Sequence, residues 1–148
     1  MDEMTVFVKS FDELTLRELY ELLRLRSKVF VVEQECAYQD LDGHDYESRH
    51  LFALRLDGSC SAYARLHWKD RDSGTVRLGR VVNDDRGVGL GMKLLTAAIE
   101  EARAMGAKEI YIEAQRYAVG FYEKAGFTVT SKPFLEDGIS HVSMRLYL

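Results

Sequence analysis

The sequence predicts an α/β protein of the α+β kind, a single domain over residues 1–148 with helices on both faces of a mixed, mostly antiparallel sheet. Three observations predict it. The segments LFALRL, SCSAYARLHW and TVRLGRVV follow one another across short turns at Asp57-Gly58 and in DRDSG, the pattern of strands joined by hairpins. Helical periodicity brackets them, over residues 15–30 on one side and 90–105 on the other. At 148 residues and 47% hydrophobic, the chain can bury one core without cross-links. The single proline, Pro133, and the absence of a repeat or low-complexity stretch leave no sign of a linker or solenoid.

Element by element, residues 5–9 read as a short opening strand. Residues 15–30 place Leu16, Leu19, Tyr20, Leu23 and Phe30 at helical spacing, and Thr15 with Glu18 forms a capping box at the start. The stretch VFVVEQECAYQDLDGHD begins apolar and turns acidic, so it reads as the helix end, a loop and a short second helix. Three antiparallel strands follow from His50. Leu90, Leu94, Leu95, Ala98, Ile99, Ala102 and Met105 then make an apolar stripe that stops at Gly106, a C-cap. A buried strand over residues 109–114, a short helix over 119–125 ended by Gly126, and two strands flanking Asp137-Gly138 complete the chain.

The bulk properties narrow the function classes. The formal net charge of −4 disfavours nucleic acid, whose binding draws on phosphate neutralisation. The start MDEMTVFVKS lacks a basic flank and long apolar core, and no apolar stretch reaches the roughly 18 to 20 residues of a membrane span, so a cytoplasmic protein without a membrane partner is expected. Cys36 and Cys60 are too few for a disulfide framework and belong to no metal-ligand spacing, so both are expected reduced and structural.

The sharpest local feature is the run Arg86-Gly87-Val88-Gly89-Leu90-Gly91 between a strand and a helix. Glycine lets a ligand approach the backbone, a helix N-terminus offers bare amides to phosphate, and arginine adds a forked cation. The P-loop needs Gly-Lys-Ser/Thr, which is absent. The dinucleotide fingerprint needs a third glycine where Met92 stands. A ligand-free glycine turn remains the plain alternative.

Arg-Gly-x-Gly-x-Gly after a strand ending in Val-Val resembles the coenzyme A loop of the GNAT-type N-acetyltransferases. A second signature follows, Ala118-Val-Gly-Phe121-Tyr122-Glu-Lys124-Ala-Gly126-Phe127, with Gln115 where many members carry asparagine. The first half resembles the ElaA-like branch through Arg24-Leu25-Arg26, Val29-Phe30-Val31-Val32-Glu33-Gln34, Cys36, Tyr38-Gln39-Asp40 and Asp42.

The resemblance implies an enzyme that moves an acetyl group from acetyl-CoA, as cosubstrate, to a primary amine by direct transfer in a ternary complex. It implies coenzyme contacts at Val81, Val82, Arg86, Gly87, Val88, Gly89, Leu90, Gly91 and Met92, with Phe121, Tyr122 and Lys124 from the second signature. Val81 and Val82 would act through backbone groups on a splayed strand, and Tyr122 would face the departing sulfur. A core aromatic is the plainer reading of Tyr122.

For the base, Glu33, Asp42, His44, His50 and Glu113 are all candidates, and Glu33 is preferred because partial burial after residues 29–32 would raise its pKa. A solvated or salt-bridged glutamate is its ordinary alternative. The same applies to Asp40, Asp42 and Asp45, whose spacing is not that of a calcium loop. His44, His50, His67 and His141 form no HxxxH or HExxH pattern, so no metal is expected. Arg80, sharing a strand face with Leu78 and Val82, needs a core carboxylate or an acidic substrate as partner.

The acceptor is a small-molecule or peptide amine, and residues 33–45, if they line the pocket, favour a cationic one. A non-catalytic acyl-CoA sensor or partner-binding module is the alternative function. Terminal strands over 128–146 are candidates for pairing into a homodimer.

Overall fold

The computed structural model describes residues 2–85 and 87–148, so Arg86 of the glycine run lies outside the described residues. The sheet is built from β1 (Phe7–Ser10), β2 (Arg49–Leu54), β3 (Cys60–Asp70), β4 (Thr75–Asn83), β5 (Glu109–Gln115), β6 (Thr128–Val129), β7 (Phe134–Glu136) and β8 (Ile139–Tyr147). Their order is β1-β2-β3-β4-β5-β8-β6, and β7 also pairs with β8. Every pairing is antiparallel except β4 with β5. A parallel pair needs a crossover, and α2 (Leu90–Ala104) supplies it.

Two apolar layers sandwich the sheet. On one face Leu90, Leu94, Leu95, Ala98 and Ala102 of α2 pack on Leu51, Ala64, Val76 and Ile110, joined by Tyr122 and Phe127 around α3 (Val119–Lys124). On the other, Leu22 and Leu25 of α1 (Leu16–Arg26) pack on Phe52, Tyr63 and Val82. The stripe of α2 is the one its periodicity predicts. Its end is a Schellman turn: Gly106 takes φ +82° and the Ala107 amide donates to the Ala102 carbonyl at 3.0 Å.

α1 begins at the expected capping box, Thr15 Oγ1 accepting from the Glu18 amide at 3.0 Å and Glu18 Oε1 accepting from the Thr15 amide at 2.9 Å. Its buried face differs from the expected one. Leu16 and Tyr20 stand 87% and 70% exposed, while Leu22, Leu25 and Arg26 are buried. The helix carries apolar residues on two overlapping stripes, and contact with Tyr63 and Val82 selects the one that also sinks an arginine. The helix does not stop at Phe30 but continues with π-helical winding over Ser27–Glu33, where Gln34 and Cys36 donate to the carbonyls of Val29 and Val31 five residues back. The expected second helix is a single 3₁₀ turn at His44–Glu47.

β4 contains the feature that shapes the site. Tyr63 pairs with Val82 and Arg65 with Gly79, so Arg80 and Val81 together oppose Ala64 alone. This β-bulge puts Arg80 at φ +53°, in the left-handed region. It also breaks the two-residue alternation: Leu78 belongs to the α2 layer and Val82 to the α1 layer, so the shared face expected for Leu78, Arg80 and Val82 does not exist. Beyond the pair Arg77 and Tyr111, β4 and β5 have no further register partners and separate.

β8 is paired on both sides, by β5 and by β6 and β7, so the free edge at this end of the sheet consists of those two short strands. Residues 128–146 therefore offer a dimer no long edge among the described residues. No helix among them is long and apolar enough to cross a membrane.

Leu94 is 1% exposed at the centre of the α2 layer. Leu94→Ala is expected to cost about 2–5 kcal/mol, read as a lower urea midpoint with an unchanged slope.

Candidate active site

The separation of β4 from β5 opens a cleft of about 1000 Å³. Val81, Val82 and Asn83 form one wall and Ile112, Glu113 and Ala114 the other. Tyr117, Phe121 and Tyr122 close one side of it, and Val29, Phe30 and Glu33 reach it from the π-helical segment.

At one end lies the start of α2. Gly89 is its N-cap at φ +78° and offers no side-chain cap, and among the described residues the first helical amide to find a carbonyl is that of Lys93, on Gly89 at 3.2 Å. Among the described residues the amides of Leu90, Gly91 and Met92 have no carbonyl partner, an arrangement that suits an anionic ligand. A Cβ on Gly91 would sit 3.2 Å from Asn83 Nδ2 and 3.6 Å from Phe121 Cζ, so glycine keeps the helix close to β4. Asp84 and Asp85 do not oppose an anion there, because Arg55 binds both, at 3.3 and 2.7 Å, and Lys28 binds Asp84 at 3.0 Å.

The middle of the cleft rests on a closed ring of charges. Arg26 meets Asp40 at 2.9 Å and Asp45 at 2.7 Å; Arg65 grips Asp42 with two bonds, at 2.7 and 2.9 Å, and meets Asp45 at 3.2 Å; Arg80 meets Asp40 at 2.8 Å and Asp42 at 3.3 Å. Each aspartate bridges two arginines and each arginine two aspartates. Arg26 is fully buried, and Asp40, Asp45 and Arg65 nearly so. Tyr38 donates to Asp40 at 3.2 Å, and Arg80 lies over its ring. Arg65 Nε is the one buried side-chain polar atom without a partner among the described residues, its two terminal nitrogens being committed to the ring.

His50 stands behind the ring. Its Nε2 donates to the Asp45 carbonyl at 2.8 Å, which leaves Nδ1 to accept from the Tyr63 hydroxyl. Burial holds His50 and His67 below the ordinary histidine value. For Asp42 and Asp45 burial acts to raise the pKa, but the hydrogen bonds and charges of Arg65 and Arg26 outweigh it and hold both below the ordinary carboxylate value. Asp40, Asp42 and Asp45 of the expected acidic stretch are thus already neutralised from inside, and Arg80 has found the core carboxylates it needed.

A GNAT acetyltransferase domain model matches residues 16–148. A UPF0039 protein of Schizosaccharomyces pombe is 41% identical over 152 residues, covering both chains fully, and ElaA of Escherichia coli is 39% identical over 137 residues, 89% of each. Among solved structures, an acyl-CoA N-acyltransferase from Pseudomonas aeruginosa is 41% identical with a TM-score of 0.87, covering 95% of this chain and 98% of that one. The crystal structure of E. coli ElaA is 36% identical with a TM-score of 0.88, covering 95% and 97%. The chain belongs to the GNAT acetyltransferase family.

As a GNAT acyltransferase, the chain places its expected site residues unevenly. Val81, Val82, Gly91, Phe121 and Tyr122 line the cleft. Gly87, Val88, Gly89, Leu90 and Met92 surround the α2 N-terminus at its end, with Gly87 at φ +86° and Val88 half exposed. Lys124 is exposed on the last turn of α3, outside the cleft lining. Tyr122 is 7% exposed, its hydroxyl makes no hydrogen bond among the described residues, and burial, with a smaller push from Tyr117, raises its pKa.

Glu33 reaches the cleft but not the environment foreseen for it. Its side chain is 51% exposed, with Lys28 at 3.9 Å its one charged partner among the described residues, and Val32 beside it turns outward. Cys60 is buried, with its thiol pushed up to about 12 by burial, and Cys36 is half-buried; both are free. The fold also brings together His44, Glu47 and His67, which no sequence spacing joins. The two rings stack in parallel, 4.7 Å apart, and His44 Nδ1 meets Glu47 at 2.7 Å. Parallel rings send their in-plane lone pairs side by side rather than toward one point, which suits a hydrogen-bonded stack better than a metal.

Arg26 and Glu136 were not foreseen as site residues. An arginine at helical spacing from Leu22 and Val29 was the available signal for the first. None existed for the second, which a hairpin returns to the cleft.

Arg26→Ala would leave Asp40 and Asp45 buried and half-paired, so a loss of about 3–5 kcal/mol is expected in denaturant unfolding. Wild-type stability should be level between pH 6.5, the ordinary histidine value, and about 9.0, above which the unfolded chain releases the Cys60 proton first, and should fall below 6.5 as the unfolded chain protonates His50 and His67 first. Below 3.8 it should fall more steeply, as Asp42 and Asp45 resist the protons that the unfolded chain accepts. Chemical unfolding across this range measures both steps.

Proposed function

We propose that the protein transfers an acetyl group from acetyl-CoA directly to a primary amine, of a small molecule or peptide, with both substrates bound at once. The observation that carries this reading is the continuous path from the uncapped N-terminus of α2, along the unpaired edge of β4, to the Tyr122 phenol. One end suits a diphosphate and the middle suits an extended amide-bearing arm.

Acetyl-CoA supplies the thioester, and this chain's residues orient it. The amides of residues 90–92 receive the pyrophosphate, with Arg86 as the neighbouring cation. Backbone groups of Val81 and Val82, unpaired toward β5, bond the arm and polarise the acyl carbonyl. The Tyr122 phenol then donates to the sulfur as negative charge gathers there. A phenol of pKa near 10 is a weaker acid than a thiol of about 8.5, and burial widens that gap. Tyr122 therefore works as a hydrogen-bond donor that stabilises the thiolate. Glu33, on the open rim, serves at most as an entry point for a cationic acceptor.

Acetyl-CoA at 100 times its Kd should add about 2.7 kcal/mol of stability, raising Tm by roughly 5–10 °C. Thiol should be released when an amine panel is supplied. No shift at saturating acetyl-CoA contradicts the reading. Tyr122→Phe should lower kcat about 10- to 100-fold, the loss of one hydrogen bond to a charged group, with acetyl-CoA affinity within about twofold.

A further inference from the structure

With Asp40, Asp42 and Asp45 paired and Glu33 on the open rim, Glu113 and Glu136 are the carboxylates deeper in the cleft, on the opposite wall. Glu113 projects from β5 into the cleft just past the last residue paired with β4. Its Oε1 accepts from Arg77 at 3.0 Å and its Oε2 from the Tyr111 hydroxyl at 2.8 Å, and Tyr111 is in turn 2.9 Å from Ser143 Oγ. Glu136 ends β7, where Asp137 and Gly138, at φ +51° and +75°, turn the chain tightly into β8. This hairpin arches over the cleft. The Asp137 carbonyl meets Cys36 Sγ at 3.8 Å, and Glu136 lines the same cleft as Glu113.

We propose that Glu113 and Glu136 form the acceptor's ammonium subsite and that Glu136 takes the amine's proton before acyl transfer. The inference rests on the acetyl-transfer reading above and names its acceptor end. An ammonium between two carboxylates replaces the proton they would otherwise share. In the step, one N–H bond breaks, an O–H bond forms on Glu136, and nitrogen keeps the electron pair with which it attacks the acyl carbon. The acceptor class is a primary amine that arrives as an ammonium.

The two carboxyls are prepared for unequal roles. For Glu113, burial acts to raise the pKa but is outweighed by the hydrogen bonds from Glu136 and Tyr111 and by Arg77, so it stays ionised. Glu136 is raised by burial first, then by its hydrogen bond to Glu113 and that neighbour's charge, against weaker opposition from His141 and Arg77. The charged and titratable groups around the pair are Arg77 on β4, Tyr111 on β5 and His141 on β8. Lys69 and Arg145 lie beyond Tyr111, over its ring. Glu113 is thus a fixed charge that positions and tunes, and Glu136 is the proton acceptor.

The test combines carboxyl titration with turnover. In ¹³C NMR of glutamate-labelled protein, Glu136 should titrate above the ordinary glutamate range, return toward it in Glu113→Gln, and move down when 1,4-diaminobutane is added. Glu136→Gln should lower turnover of the best amine in a panel about 10²- to 10⁴-fold, with part regained at high pH and part by Glu136→Asp, while acetyl-CoA affinity stays within about twofold. A Glu136 that titrates normally and ignores the diamine, or a Glu136→Gln enzyme at full rate, overturns the subsite even where acetyl-CoA binds normally. A wild-type protein that fails to bind acetyl-CoA overturns the acetyl-transfer reading instead and leaves the titration to judge the pair alone.

Discussion

Six side chains from four places in the chain close on one another: Arg26 at the end of α1, Asp40, Asp42 and Asp45 in the following loop, Arg65 on β3 and Arg80 on β4. Buried ion pairs add little net stability, because desolvation consumes most of what attraction returns. What this ring supplies is position. A non-glycine residue in the left-handed region costs about 1–3 kcal/mol, and Arg80 holds that conformation because two carboxylates and the Asp40 carbonyl grip its guanidinium from the loop. Arg80 marks the bulge, the bulge turns β4 away from β5, and the gap between those strands is the cleft.

The cleft separates charge along its length. At the α2 end the two neighbouring aspartates are bound to Arg55 and Lys28, so the helix amides face an anion without a competing carboxylate. In the middle the ring is neutral. At the β7 end Glu113 and Glu136 both line the cleft, two carboxyls against the single guanidinium of Arg77. On the proposed reading, a chain of net charge −4 would hold a polyanionic coenzyme at one end of this channel and a cationic amine at the other, because the local charge differs between the two ends.

Much of this was legible from residue order alone. The α2 stripe, its Gly106 stop, the Thr15-Glu18 box, the three hairpin strands and the Asp137-Gly138 turn depend on neighbours within a few positions, and periodicity reports those directly. The glycine run and the Phe121-Tyr122 signature pointed to the proposed coenzyme end for the same reason. The remainder depends on distance in sequence. One extra residue in β4 reverses every face beyond it, and nothing in TVRLGRVV marks which residue that is. The ring joins positions as far apart as 26 and 80, so its aspartates read as solvated or salt-bridged with no partner that spacing could name. Glu33 looked partly buried because the apolar run Val29 to Val32 precedes it, whereas Val32 in the π-helical segment stands outward. Glu136 reaches Glu113 only because a hairpin folds back over the sheet.

A crystal structure with coenzyme A bound tests this view of the molecule most directly. The expected result places the pyrophosphate on the amides of residues 90–92, the arm along Val81 and Val82 between β4 and β5, and the sulfur within hydrogen-bonding distance of the Tyr122 hydroxyl, with the ring of Arg26, Arg65 and Arg80 intact. Coenzyme bound elsewhere, or a sulfur remote from Tyr122 with β4 and β5 drawn together, would contradict it.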